Sequence, residues 1–247
     1  MSAAAPMFEV RDLTKRFRGL TALSSITFQL RQGEILGLIG PNGAGKTTLV
    51  SLISGTLVPS AGEIHFEGRR IDRLPPHRRA HLGIGRTFQV MKPFPTLSVL
   101  ENVAIGALFG AAGGERSRAR ARDRARQWLE FTGLGARVDQ RADALGGPDR
   151  KRLELAKALA MHPRLLLLDE VMAGLNHVEI DEVVALIQKI RAQGMTILVI
   201  EHVMKAIRSL SDRLLVLHHG QQIGLGSPQE VLNDPHVVEA YLGKRRA

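Results

Sequence analysis

Cysteine is absent from the 247-residue sequence, which excludes a disulfide framework and a thiolate metal site. No apolar run approaches the roughly 18 residues that a bilayer span needs. The nearest, Leu97 to Ala112, is broken by Glu101, Asn102 and two glycines. Met1 to Met7 lacks a basic region followed by an apolar stretch, so no signal peptide is expected. No segment repeats in tandem. No aromatic residue interleaves the arginines at Arg116, Arg118, Arg120, Arg122, Arg124 and Arg126, as a single-strand nucleic-acid surface would require. That run reads as a solvated helix face.

What is present suits a globular chain with ample core: 44% of the residues are hydrophobic. The formal charge of +10 favours anionic partners, whether nucleotide, nucleic acid or an anionic lipid surface.

The most informative stretch is Gly40-Pro41-Asn42-Gly43-Ala44-Gly45-Lys46-Thr47-Thr48. The short apolar run Glu34 to Ile39 precedes it and reads as a buried strand. Leu49 to Ser54, closed by Gly55, reads as a helix with a glycine stop. Strand, glycine-rich loop and helix form the phosphate-binding pattern G-x-x-x-x-G-K-[ST]. Glycines let the backbone wrap so that amide hydrogens point at one anion, and the helix turns its positive end to the same point. Lys46 adds a mobile charge for the outer phosphates, and the Thr47 hydroxyl is placed to bind the accompanying magnesium.

Phe8 to Leu13, Ala22 to Leu30 and Glu63 to Glu67 alternate as strands and suggest a small antiparallel sheet. Phe17 lies between the first two and is either a base-stacking residue or ordinary packing. Ser98 to Phe109 and Glu115 to Phe131 read as helices, the first with Ser98 and Glu101 as a capping pair. Asp149 to Met161 and His177 to Gln193 have amphipathic helical spacing. Four leucines, Leu165 to Leu168, read as a strand buried on both faces that ends in Asp169-Glu170. Met195 to Ile200 is a second such strand, ending at Glu201-His202. Carboxyl ends of parallel strands form ligand crevices, so an aspartate there suits a magnesium shell and a glutamate suits activation of water.

The order of these segments resembles the ATP-binding cassette (ABC) ATPases over essentially the whole chain. Leu145-Gly146-Gly147-Pro148-Asp149 stands where that family has its LSGGQ signature, and Ala173-Gly174-Leu175-Asn176 where it has its D-loop. Gln89 matches the Q-loop position and His202 the switch histidine. The resemblance implies an α/β fold, a P-loop NTPase (RecA-like) core with an antiparallel β subdomain and an inserted helical subdomain. It divides a single domain, 1–247, into a core (1–90 and 160–225), a helical subdomain with the signature (91–159) and a C-terminal helical tail (226–247).

It also implies the cofactors ATP and Mg2+. Glu170, His202 and Gln89 then become catalytic, Thr47, Gln89 and Asp169 hold magnesium, and Phe17 joins Gly40 to Thr48 at the nucleotide. Gly146, Gly147, Pro148 and Asp149 would act on the ATP of a partner subunit.

Asp169 to Asn176, Glu201 to Lys205 and the tail from Gly226 to Gly243 resemble more closely the ATPase subunits of branched-chain amino-acid importers, whose cousins carry urea, amides and other small polar solutes. That implies a peripheral subunit on the cytoplasmic face of the inner membrane. Its implied partners are a second, related ATPase, two membrane permeases and, indirectly, an external solute-binding protein, with no nucleic acid.

The signature departs from the family pattern. Gly146 lacks the serine hydroxyl, Pro148 lacks an amide hydrogen, and Asp149 puts a negative charge beside a phosphate. A weakened composite site, and so a working heterodimer, is expected. A soluble cassette acting on nucleic acid is the alternative motivated by charge, but the chain has neither two cassettes nor a long coiled-coil insertion. A kinase or GTPase would need an acceptor pocket or an Asn-Lys-x-Asp motif, which is missing; ATP turnover would exclude a structural module.

Overall fold

A computed structural model describes residues 6–87, 93–111 and 114–242. The chain begins with β1 (Phe8–Phe17), β2 (Leu20–Leu30), β3 (Ile35–Ile39), α1 (Lys46–Ser54), β4 (Ala61–Phe66) and β5 (Arg69–Arg70). Next come α2 (Pro76–Leu82), β6 (Ile84–Arg86), α3 (Val99–Leu108), α4 (Arg118–Phe131), α5 (Gly147–Ala160) and β7 (Leu165–Asp169). It closes with α6 (His177–Ala192), β8 (Thr196–Ile200), α7 (Met204–Leu210), β9 (Arg213–His218), β10 (Gln221–Gly226), α8 (Pro228–Asn233) and α9 (Pro235–Leu242). These elements form two compact units, one of residues 1–76 and 190–247 and the other of 77–189.

The first unit holds an antiparallel sheet in the order β2-β1-β4-β5. Its leading hairpin turns through Arg18 and Gly19, both at positive φ, as a two-residue turn matched to strand twist requires. Strand β1 runs four residues beyond the alternation visible in the sequence. Asp12, at φ 46°, interrupts that alternation where the register with β2 shifts, so the period of two fails while pairing continues to Phe17.

The same unit contains a parallel set in which β3 is flanked by β8 on one side and β9 on the other, with β10 returning antiparallel to β9. Every residue of β3 and β8 is buried, which explains why both read as unbroken apolar runs. Parallel register fixes where the strands end. Leu38 lies opposite Ile200 and Ile39 opposite Val216, so Gly40 and Glu201 leave their strands at the same carboxyl edge, level with Leu217 near the end of β9.

In the second unit β6 and β7 pair in parallel, with Arg86 opposite Leu167. Helices α3, α4 and α5 pack together through Val99, Val103, Ala107, Ala121, Ala125, Leu129, Leu153 and Ala156, all fully buried. On the arginine helix the buried stripe is Ala121, Ala125 and Leu129, spaced by four, so α4 is held by two alanines and a leucine while Arg118, Arg122 and Arg126 stay exposed. Ser98 and Glu101 form the expected capping box on α3. Helix α4 starts later than its sequence pattern suggested, because Ser117 caps it and the Glu115 amide donates to Ala107 instead.

Candidate nucleotide site

Gly40 to Gly45 link β3 to α1 as a glycine-rich loop. Gly45 is the N-cap of α1, makes no side-chain cap bond, and the first turn contains no acidic residue. The helix's leading N–H groups therefore have no acidic side chain of their own turn, an arrangement suited to an external anion such as phosphate.

Two glycines are required by space. A Cβ at Gly40 would stand 2.2 Å from the Leu217 carbonyl oxygen, and one at Gly45 would stand 2.6 Å from Leu23 Cδ2 and 2.9 Å from the Ala22 oxygen. Gly45 also holds φ 105°, where side-chain-bearing residues are strained. The loop is braced from outside: the Gly220 amide donates to Ala44 at 3.0 Å, and the Ser24 amide donates to Gly220 at 2.8 Å. Buried Lys46 folds over the loop, its Nζ donating to the carbonyls of Gly40 at 2.6 Å and Pro41 at 3.0 Å. Both carbonyls are neutral acceptors, and a charged phosphate oxygen makes the stronger partner for an ammonium. Thr47 is exposed in the first helical turn.

His202 is exposed immediately after β8, at the same strand edge as the loop, and Glu201 before it is buried. Phe17 is the last residue of β1, 41% exposed, with Lys15 Nζ 4.9 Å from its ring centre. An exposed ring beside a cation offers a platform for a flat base.

The acidic strand end lies in the second unit. Asp169 closes β7 with its side chain 4% exposed, held by Arg86 Nη2 at 2.9 Å from Oδ2. Its backbone amide donates to Thr87 Oγ1 at 3.1 Å. Glu170 follows at φ 51°, a strained left-handed conformation for a non-glycine residue of the sort that gathers at functional sites. Arg86 and Thr87 are absent from the sequence-level set. Their signal was a basic residue and a hydroxyl ending a short apolar strand, too brief to weigh without the β7 pairing.

Gln89 lies outside the described residues. Among the described residues no group of three or more His, Cys, Asp or Glu side chains could hold a metal alone. Magnesium takes hard oxygen ligands and keeps waters and phosphate oxygens beside one or two protein oxygens. The hard oxygens of Asp169 and Thr47 fit that chemistry.

Gly146 is the N-cap of α5, in extended conformation with no side-chain cap, and Pro148 sits in the first turn, where its missing N–H breaks no helical bond. A Cβ at Gly146 or Gly147 would meet nothing within 4 Å. Asp149 differs from the sequence-level picture of a bare negative charge: Arg137 Nη2 lies 3.2 Å from its carboxylate and offsets it. Further along α5, Lys151 donates to the Ala173 carbonyl and Arg152 pairs with Glu182 of α6. Helix α5 is thereby tied to the turn at Ala173 and to α6. Asn176 and Glu179 close a reciprocal cap at the start of α6, at 2.8 and 3.0 Å.

Similarity to known proteins bears on this arrangement. A family model described as ABC transporter matches residues 23–173, and one described as Branched-chain amino acid ATP-binding cassette transporter matches residues 221–247. The high-affinity branched-chain amino acid transport ATP-binding protein LivG of Salmonella typhimurium is 38% identical over 97% of this chain and 98% of its own length. BraF of Pseudomonas aeruginosa, described in the same words, is 36% identical over the same shares. The lipopolysaccharide export system ATP-binding protein LptB of Acidithiobacillus ferridurans is 36% identical, over 96% of this chain and 97% of its own.

Among solved structures, an ATP-binding cassette of an ABC transporter in its ADP conformation has a TM-score of 0.87 at 31% identity, covering 98% of this chain and 100% of that one. A dimeric cassette in a post-hydrolysis state with ADP and Pi has a TM-score of 0.82 at 25% identity, covering 90% and 99%. With its phosphate cradle, its acidic strand end and relatives matched over nearly their full length, the chain belongs to the ATP-binding cassette ATPases, the subunits that hydrolyse ATP for ABC transporters.

Proposed function

We propose that this chain is the ATPase subunit of an importer for branched-chain amino acids or a related small polar solute such as an amide or urea. It works peripherally on the cytoplasmic face of the inner membrane, beneath two permease subunits fed by an external solute-binding protein. The C-terminal match over residues 221–247 carries the choice of solute class, since LptB is matched over nearly as much of the chain. Among the described residues no helix is long and apolar enough to cross a membrane, so transport requires other subunits. The division into core (1–90 and 160–225), helical subdomain (91–159) and tail (226–247) belongs to this reading.

In the working site, the amides of Gly43 to Thr48 cradle the phosphates, and Lys46 releases its loop carbonyls for phosphate oxygens. Phe17 stacks on the base. Asp169 and Thr47, with Gln89, hold magnesium, which when bound neutralises charge developing on the transferred phosphoryl group. Glu170 orients and deprotonates the attacking water, and His202 hydrogen-bonds the terminal phosphate. The signature residues Gly146 to Asp149 cover ATP held by the other subunit.

A glycine in place of the signature serine offers that ATP one donor fewer, although Arg137 tempers the charge of Asp149. The composite site using this signature is therefore the weaker one, which supports a heterodimer over a homodimer. The dimeric ADP and Pi cassette supports pairing in general. None of the relatives named above supports the reading as a nucleic-acid ATPase.

The test is affinity purification of the tagged chain from detergent-solubilised membranes, with leucine uptake measured in cells lacking it. Recovery of two permeases and a second cassette, with lost uptake, is expected. Recovery of the chain alone with uptake intact overturns the proposal.

A further inference from the structure

Asp169 is paired with a cation of its own chain. The Arg86 guanidinium lies 2.9 Å from Asp169 Oδ2, with the two side chains only 13% and 4% exposed. The contact is built into the strand pairing. Arg86 sits opposite Leu167, two residues before Asp169, in the parallel β6–β7 register. Thr87 fastens the same strand end twice, its amide donating to Leu167 O at 2.9 Å and its hydroxyl accepting the Asp169 amide at 3.1 Å. A carboxylate this far from water is costly unless compensated, and the fixed guanidinium compensates it.

We propose that Arg86 is the resident counter-ion of Asp169 and that it makes metal binding conditional on nucleotide. The proposal rests on Asp169 being a magnesium ligand. With Arg86 in place, a divalent cation gains little from Asp169 alone, because the carboxylate's charge is already offset. Whether the cation displaces Arg86 from Oδ2 or takes the other oxygen, two positive groups share one carboxylate and disfavour each other. The missing attraction comes from nucleotide phosphates, so the metal enters with them rather than ahead of them. Arg86 is a positioning residue in this scheme: it keeps the carboxylate ordered between turnovers and sets the metal affinity without touching substrate.

The experiment titrates Mn2+ into the purified full-length chain with saturating ADP, following free Mn2+ by electron paramagnetic resonance. ADP affinity is measured separately in EDTA. Arg86→Met is expected to bind Mn2+ about tenfold more tightly than wild type, equivalent to ~1.4 kcal/mol. Its ADP affinity in EDTA should stay within about twofold, and its thermal midpoint in EDTA should fall. Mn2+ binding without nucleotide should become detectable in this variant. Arg86→Lys, which keeps the charge, should stay near wild type in Mn2+ affinity, and Arg86→Gln serves if the methionine variant does not fold. Unchanged or weaker Mn2+ binding in the uncharged variant overturns the proposal, whatever happens to stability. Asp169→Asn separates this from the reading beneath it: if that variant holds Mn2+ and ADP as tightly as wild type, Asp169 is no ligand and both fall.

Discussion

Replacing Gly45 by alanine should cost the protein both stability and nucleotide. The new Cβ would sit 2.6 Å from Leu23 Cδ2 and 2.9 Å from the Ala22 oxygen, on a residue at φ 105°. Backbone strain of this kind costs about 1–3 kcal/mol, and forcing an extra methyl into packed surroundings costs about 1–3 kcal/mol more. Lower entropy of the unfolded chain returns about 0.4–1 kcal/mol, which leaves a net loss of roughly 1–6 kcal/mol. Two other glycines calibrate the argument. Gly43 has φ 79° but nothing within 4 Å of its Cβ, so Gly43→Ala should lose only the left-handed penalty of about 1–2 kcal/mol. Gly146 is extended and open, so Gly146→Ala should stay within about 1 kcal/mol of wild type. Urea unfolding followed by circular dichroism gives the three values, and fluorescent ATP-analogue binding gives the functional loss. Equal stabilities across the three variants, or full nucleotide binding by Gly45→Ala, would refute the reasoning.

Glu170→Gln should retain ATP binding, trap a cassette dimer with ATP and reduce turnover by at least about a hundredfold, in line with loss of a general base; undiminished steady-state hydrolysis would remove its assigned role. Gly146→Ser adds a hydroxyl to open space at an uncapped helix start. It should stabilise α5 by a few tenths of a kcal/mol and raise turnover of the assembled transporter, and a lowered rate would count against the weakened-signature argument. Acid should act in part through two helix caps. The Ser98 backbone amide and hydroxyl hold Glu101 below the ordinary carboxyl range, and the Ser227 hydroxyl and amide do the same for Glu230. Depressed folded values mean that their stabilisation is complete above the ordinary value of about 4.3 and is lost as pH falls through the lower folded ones. The thermal midpoint should therefore drop below about pH 4.3, and less steeply in a Glu101→Gln/Glu230→Gln variant; parallel curves would contradict it.

Local chemistry was legible in the sequence. The phosphate loop showed because its glycines, lysine and threonine stand together in one contiguous stretch, although the close approaches that demand Gly40 and Gly45 come from Leu217, Ala22 and Leu23, distant in sequence. Strands β7 and β8 showed because burial on both faces leaves only apolar residues. Helix α2 did not show: its seven residues have no apolar period, and the side chain it buries is Arg79. Helix α7 is as short and lacks a side-chain cap. What depends on register across strands or between helices was also hidden. Arg86 reaches Asp169 across 83 positions through the β6–β7 pairing, and Arg137 reaches Asp149 from the short turn that follows α4. Neither pair has a spacing that a periodic pattern reports.

Equilibrium binding of ATP to the purified chain, wild type against Lys46→Ala, bears most directly on the claim that the loop from Gly40 to Thr48 grips the nucleotide's phosphates. Saturable binding by the wild type, weakened at least about tenfold when the ammonium is removed, is the outcome this structure predicts. Absence of ATP binding, or equal binding by the two proteins, would contradict it.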